Sequence, residues 1–145
     1  MCMPGTARYW LSAGAAGLLA SLFSLRMGGV FAALRLPLFF PPVWLLPVGW
    51  AAALILLASV TAAADKKPAA AFYVSLGLAV AWALLFFRLD APVAAAAAGA
   101  LLTGVWLRLR RVTGAESPQA KRRLLPCCVW AGYLTYLNLG ICLIN

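Results

Sequence analysis

The chain has 145 residues, 66% of them apolar and only 10% charged, whereas soluble domains run near roughly 45–50% and about 25%. That composition excludes a water-soluble globule. Twelve Lys and Arg against three Asp and Glu give +9; without aromatic interleaving on a soluble fold, the excess reads as membrane topology and not as a nucleic-acid surface. A hydrocarbon core about 30 Å thick takes roughly 20 helical residues per crossing. Five spans therefore use about 100 residues and leave room for loops but not for an extramembrane catalytic domain. The predicted fold is all-α: one domain over residues 1–145, a five-transmembrane-helix bundle.

The first predicted span covers residues 9–25. It follows a single Arg and lacks the small-x-small site of a cleaved signal. Ala13, Gly17 and Ser21, spaced by four, predict a small-residue contact face. Gly28-Gly29 then opens a loop in which Pro37, Pro41 and Pro42 prevent continuous helix. Its residues Leu34, Arg35, Pro37, Phe39, Phe40, Pro41 and Pro42 are unusually apolar for a loop. Phe39 and Phe40 are expected to cover the bundle mouth or to lie at the interface. The second span (43–64) carries Trp44, Trp50 and an early Pro47, and ends at Asp65-Lys66-Lys67-Pro68. The third (69–87) carries Tyr73 and Trp82 and closes at Arg88-Leu89-Asp90. The fourth (91–107) has a small face at Ala96, Ala100 and Gly104, and a basic hydrophilic loop, Arg108 to Arg123, is expected after it. The fifth (124–144) holds Pro126, Trp130, Tyr133, Tyr136 and Asn138. With this arrangement nine basic residues fall on the side of the N-terminus and three on the other, which by the positive-inside rule turns the N-terminus toward the cytoplasm-like side.

No histidine is present, which removes the commonest haem and metal ligand and the usual general base. Cys2, Cys127, Cys128 and Cys142 have neither zinc spacing nor a disulfide framework, and read as free thiols. No metal site is expected. Asp65, Asp90 and Glu116 all fall in predicted loops, and no Lys or Arg lies mid-span. Proton- or ion-coupled pumps keep ionisable groups inside the membrane, so active ion-coupled export is excluded from the leading readings.

Aromatic residues are what remains: six Trp, four Tyr and seven Phe. Trp10, Trp44 and Trp106 fall near predicted span ends, where an interfacial belt is expected. Trp50, Trp82 and Trp130 lie deeper, where flat side chains build a slot for a flat apolar ligand. Asn138, an amide inside a span, is expected to bond across helices or to orient a ligand.

The order of motifs resembles the TspO/translocator protein family, also called the peripheral benzodiazepine receptor family. The first loop and second span of that family read approximately L-x-K-P-x-x-x-P-P-x-W with a second Trp six residues on. Here they are Leu34-Arg35-Leu36-Pro37, Pro41-Pro42-Val43-Trp44 and Trp50. The L-N-x-x-W and F-F of the third span match at Trp82 and Phe86-Phe87, and the fifth span matches at Pro126, Trp130 and Leu137-Asn138. Ala79 replaces the usual third-span Asn, Leu84 a common Pro, and Cys127 the Tyr after Pro126. The fourth loop is also longer and more basic.

The resemblance implies a membrane receptor or binding protein for tetrapyrroles (protoporphyrin IX, haem) or sterols, with no required cofactor. Its site would be lined by Trp44, Trp50, Trp82, Trp130 and Asn138 under a lid formed by residues 34–42. It further implies a bacterial cell-envelope or mitochondrial outer membrane, and a homodimer, for which Gly77 and Ala81 offer a small-residue face. Two alternatives accompany this reading: light- and oxygen-dependent breakdown of protoporphyrin at Trp50 and Trp130, and passive transport of porphyrin or sterol.

Overall fold

The computed structural model describes residues 4–64 and 68–145; Cys2, Asp65, Lys66 and Lys67 lie outside the described residues. The elements, in order, are α1 (Pro4–Phe23), a 3₁₀ turn (Ser24–Arg26), α2 (Met27–Ala33), α3 (Leu45–Ala63), α4 (Ala69–Phe87), α5 (Pro92–Glu116), α6 (Pro118–Arg123) and α7 (Leu125–Ile144). No strand occurs among the described residues, and five helical stretches are long and apolar enough to cross a membrane.

The third span matches its predicted bounds, since Pro68 and the Arg88-Leu89-Asp90 stop flank it on both sides. At that stop Asp90 takes φ 48°, a left-handed position usually given to glycine, and Ala91 N–H bonds back to Leu85 C=O at 2.9 Å. Two other boundaries differ from expectation. The first span runs on through Gly28-Gly29 to Ala33. Both glycines meet nothing within 4 Å of a built Cβ, and a glycine inside a supported helix costs only about 1 kcal/mol. The expected basic loop is mostly helix. α5 continues to Glu116, and after a break at Ser117, whose hydroxyl accepts from Ala120 N–H, α6 follows. Arg and Ala are strong helix formers, so the helix outlasts the hydrophobic stretch. At 25 residues, α5 is about 37 Å long and overshoots a core about 30 Å thick.

The spans form a closed ring in the order α1, α4, α5, α7, α3, with α3 returning to α1. The face of α5 in contact is Ala95, Ala98, Gly99, Leu102, Trp106 and Leu109, a helical stripe at spacings of three and four. Ala96 belongs to the buried set, whereas Ala100 and Gly104 of the expected small face are exposed. Gly99 lets α7 approach, a built Cβ meeting Thr135 Oγ1 at 3.2 Å. On α1, Ala13 is buried and Gly17 sits against Leu54, while Ser21 is exposed. The outer surfaces carry Leu18, Leu22, Ile55, Leu101 and Leu143, as lipid-facing helices require. Trp106 corrects an expectation: it is fully buried beside Trp50 and does not stand in an interfacial belt, because α5 extends well past it. Trp10 and Trp44 are exposed, 45% and 66%.

Candidate functional site

The inward-facing rings form one continuous column. Trp106 lies 6.4 Å from Trp50, Trp50 is 5.4 Å from Trp82, and Trp82 stacks on Phe86 at 5.7 Å and 14°. Phe31 of α2 closes the column against Phe86, Phe87 and Phe40, at 5.6, 5.7 and 4.9 Å. Such offset and edge-on pairs each add about 0.5–1.5 kcal/mol beyond area burial.

Beside this column, between α1, α3 and α4, lies a slot of about 500 Å³. It is lined by Trp50 and Leu54 of α3, by Ala79, Trp82 and Phe87 of α4, and by Gly14 and Gly17 of α1. Ala79 matters here because it puts a small apolar side chain on the wall at the third-span position where the resemblance implies an amide. The only hydroxyls on the wall are committed to their own helix: Ser21 Oγ donates to Gly17 C=O at 2.8 Å and Ser24 Oγ to Ala20 C=O at 2.7 Å. The indole N–H groups of Trp50 and Trp82 are covered and without acceptors. The slot therefore offers ring faces and alkyl surface, and selects by shape.

The five tryptophan and asparagine candidates do not all meet there. Trp50 and Trp82 line the slot. Asn138 lies on the far side of Trp82, around a residual void of about 10 Å³ that Phe31 and Phe40 have filled. That is too small to hold more than one water. Its amide does not bond across helices; Nδ2 donates to Leu134 C=O of its own helix at 2.9 Å. Trp130 presses on α3 instead, its ring 2.3–2.6 Å from a Cβ built on Gly49. Trp44 stands outside the bundle, 66% exposed.

The 34–42 loop is tied to α7 and to Asn145 at its end. Tyr133 Oη donates to Phe39 C=O at 2.6 Å and Tyr136 Oη to Leu38 C=O at 3.1 Å. Asn145 pairs with the backbone of Arg35 in both directions, accepting its N–H at 2.8 Å and donating to its C=O at 2.9 Å. Buried Pro37 seats on Gly140, where a Cβ would lie 2.7 Å from the ring. Phe39 is held at φ 63°, a strained state for a non-glycine that costs roughly 1–3 kcal/mol and persists where its surroundings enforce it. The two phenylalanines thus divide the expected roles: Phe40 turns in onto Phe31, and Phe39 is 79% exposed at the surface. Pro41 is buried, Pro42 exposed, and Leu34 lines a larger chamber of about 810 Å³ at the same end. Phe31, Gly49, Tyr133, Tyr136 and Asn145 were not singled out by the sequence for these roles. The Gly beside Trp50 and the paired tyrosines were the available signals.

Cys127, Cys128 and Cys142 are free thiols, and among the described residues no cluster of three or more metal-ligating side chains occurs. For a haem the donor set is poor: the chain has no histidine, and among the described residues Met27 supplies the one thioether at the slot.

Comparison with known proteins agrees with this architecture. The TspO/MBR family profile matches residues 10–144. Over 82 residues the chain is 35% identical to the translocator protein homolog of Schizosaccharomyces pombe, a match covering 57% of this chain and half the length of that relative. Over 128 residues it is 30% identical to the tryptophan-rich protein TspO of Archaeoglobus fulgidus, with 79% of each chain covered. A ring of five membrane-crossing helices, a tryptophan-walled slot and a match along nearly the whole chain make this an integral multi-pass membrane protein of translocator type, belonging to the TspO/MBR family.

Proposed function

We propose that the chain binds flat, hydrophobic ring ligands, tetrapyrroles or sterols, in the slot walled by Trp50 and Trp82, and carries them passively within the membrane. The observation behind this reading is the slot itself. A volume of about 500 Å³ falls within the range of small-molecule sites, roughly 300–1,000 Å³. Two indoles 5.4 Å apart give it flat walls, and every hydroxyl on the wall is already bonded. A ligand rich in unsatisfied polar groups loses its hydration there without recompense. A fused ring system loses little. Protoporphyrin, which carries no iron, would be held by its macrocycle face. The absence of mid-span charge favours passive movement over coupled transport.

Titrating the purified protein with protoporphyrin IX and with cholesterol, read by tryptophan fluorescence, tests the proposal. Saturable quenching or shift by at least one of them is expected, reduced about tenfold in affinity in Ala79→Leu, which intrudes on the slot beside Trp82. No response to either ligand would overturn the reading.

A further inference from the structure

The chamber at the loop end is larger than the tryptophan slot and differently built. It lies among the ends of α2, α4, α5 and α7 and measures about 810 Å³. Its floor is apolar, made by Val30, Phe86, Phe87 and Ile141, while Arg26 and Asp90 stand on its walls with opposite charge. Both side chains are exposed, and among the described residues neither makes a hydrogen bond or ion pair. The left-handed backbone at Asp90 fixes where its carboxylate leaves the chain, a position where glycine would ordinarily sit. The first turn of α5, a 25-residue helix, lines the same chamber and adds the positive end of its dipole.

We propose that this chamber seats the headgroup of a zwitterionic phospholipid carrying a primary ammonium, as in phosphatidylethanolamine. The guanidinium of Arg26 and the start of α5 meet the phosphate, since a planar fork of N–H donors suits phosphate oxygens. The Asp90 carboxylate accepts from the ammonium, whose three N–H donors a trimethylated choline lacks. The glycerol and upper acyl carbons rest on the Phe86 and Phe87 floor. The chamber lies at helix ends, where a bilayer places its headgroup layer, so the lipid reaches it by lateral movement. This site is separate from the ring-ligand slot: the two share the Phe87 wall, but neither Trp50 nor Trp82 lines the chamber.

Native mass spectrometry of the full chain, exchanged into detergent with equal amounts of phosphatidylethanolamine, phosphatidylcholine and phosphatidylglycerol of identical acyl chains, tests the assignment. The wild type is expected to retain phosphatidylethanolamine at least fivefold over the other two. Asp90→Asn, which keeps a side chain tolerant of the left-handed backbone, is expected to abolish the preference over phosphatidylcholine and raise phosphatidylglycerol. Arg26→Gln is expected to lower retention of all three about fivefold or more. Glycerophosphoethanolamine, which lacks the chains, is expected not to bind. Equal retention of the three lipids by the wild type, or a preference unchanged in both variants, would overturn the proposal. Unaltered circular dichroism of the variants separates a lost site from a lost fold.

Discussion

Helix α3 meets tryptophan on two sides, its own Trp50 on one and Trp130 of α7 on the other, and the two are packed in opposite ways. Toward α7, Gly49 receives the Trp130 ring so closely that even a methyl group does not fit. Toward α1 and α4, Trp50, one residue further on, borders a slot of about 500 Å³. The difference comes from the partner. α7 brings a large ring to a bare glycine, whereas α1 brings Gly14, Gly17 and Ala20, which are too small to cover the face of Trp50 that Trp82 and Trp106 leave open. Equal aromatic richness thus yields a rigid seam on one side and capacity for a ligand on the other.

The strongest way to break that contrast is Trp82→Ala. Trp82 is 5% exposed and joins Trp50 to Phe86 and Phe87, so its truncation is expected to cost about 3–5 kcal/mol, read as reduced thermal stability in detergent, and to merge the slot with the void near Asn138. Next comes Gly49→Ala, which forces the Trp130 ring to move and should cost about 1–3 kcal/mol. Gly77→Ala provides its counterpart: nothing lies within 4 Å of a built Cβ there, so stability should hold or rise by up to about 1 kcal/mol. A destabilised Gly77→Ala would show that an unseen partner packs on that face. Removing one latch hydroxyl, in Tyr133→Phe or Tyr136→Phe, should cost about 0.5–1.5 kcal/mol and appear as faster amide exchange in the 34–42 loop with the bundle unaffected. Ala79→Leu enlarges a side chain that is 3% exposed on the slot's edge, so it should cost no more than about 1–3 kcal/mol while ring-ligand affinity falls.

The elements were legible in unequal degree. Span three was readable to the residue because proline and a charged stop bracket it. Span four was not, because hydropathy registers where the membrane ends and not where the helix ends: Arg108, Arg110 and Arg111 continue α5 with good helix propensity. Trp50 and Trp82 were identifiable as neighbours of a slot from their depth in the spans. The separation of Asn138 and Trp130 from it was not readable, since it depends on how far each helix is rotated.

Rotation is hidden in a sequence like this one. In water, a helix advertises its buried face by the contrast of apolar and polar residues; here Leu18, Ile55 and Leu101 face outward while Leu57, Leu76 and Leu102 face inward, and the two sets are chemically alike. The sequence by itself determined that five apolar helices cross a membrane, which family they belong to by motif, and that no histidine or mid-span charge serves them. Hydrocarbon demands these things of each segment alone. Only the tertiary structure decided which indoles border open space, that Asn145 latches Arg35 across 110 residues, and that Arg26 and Asp90 share a chamber. Those are properties of contacts between segments, and no local rule of composition or spacing encodes them.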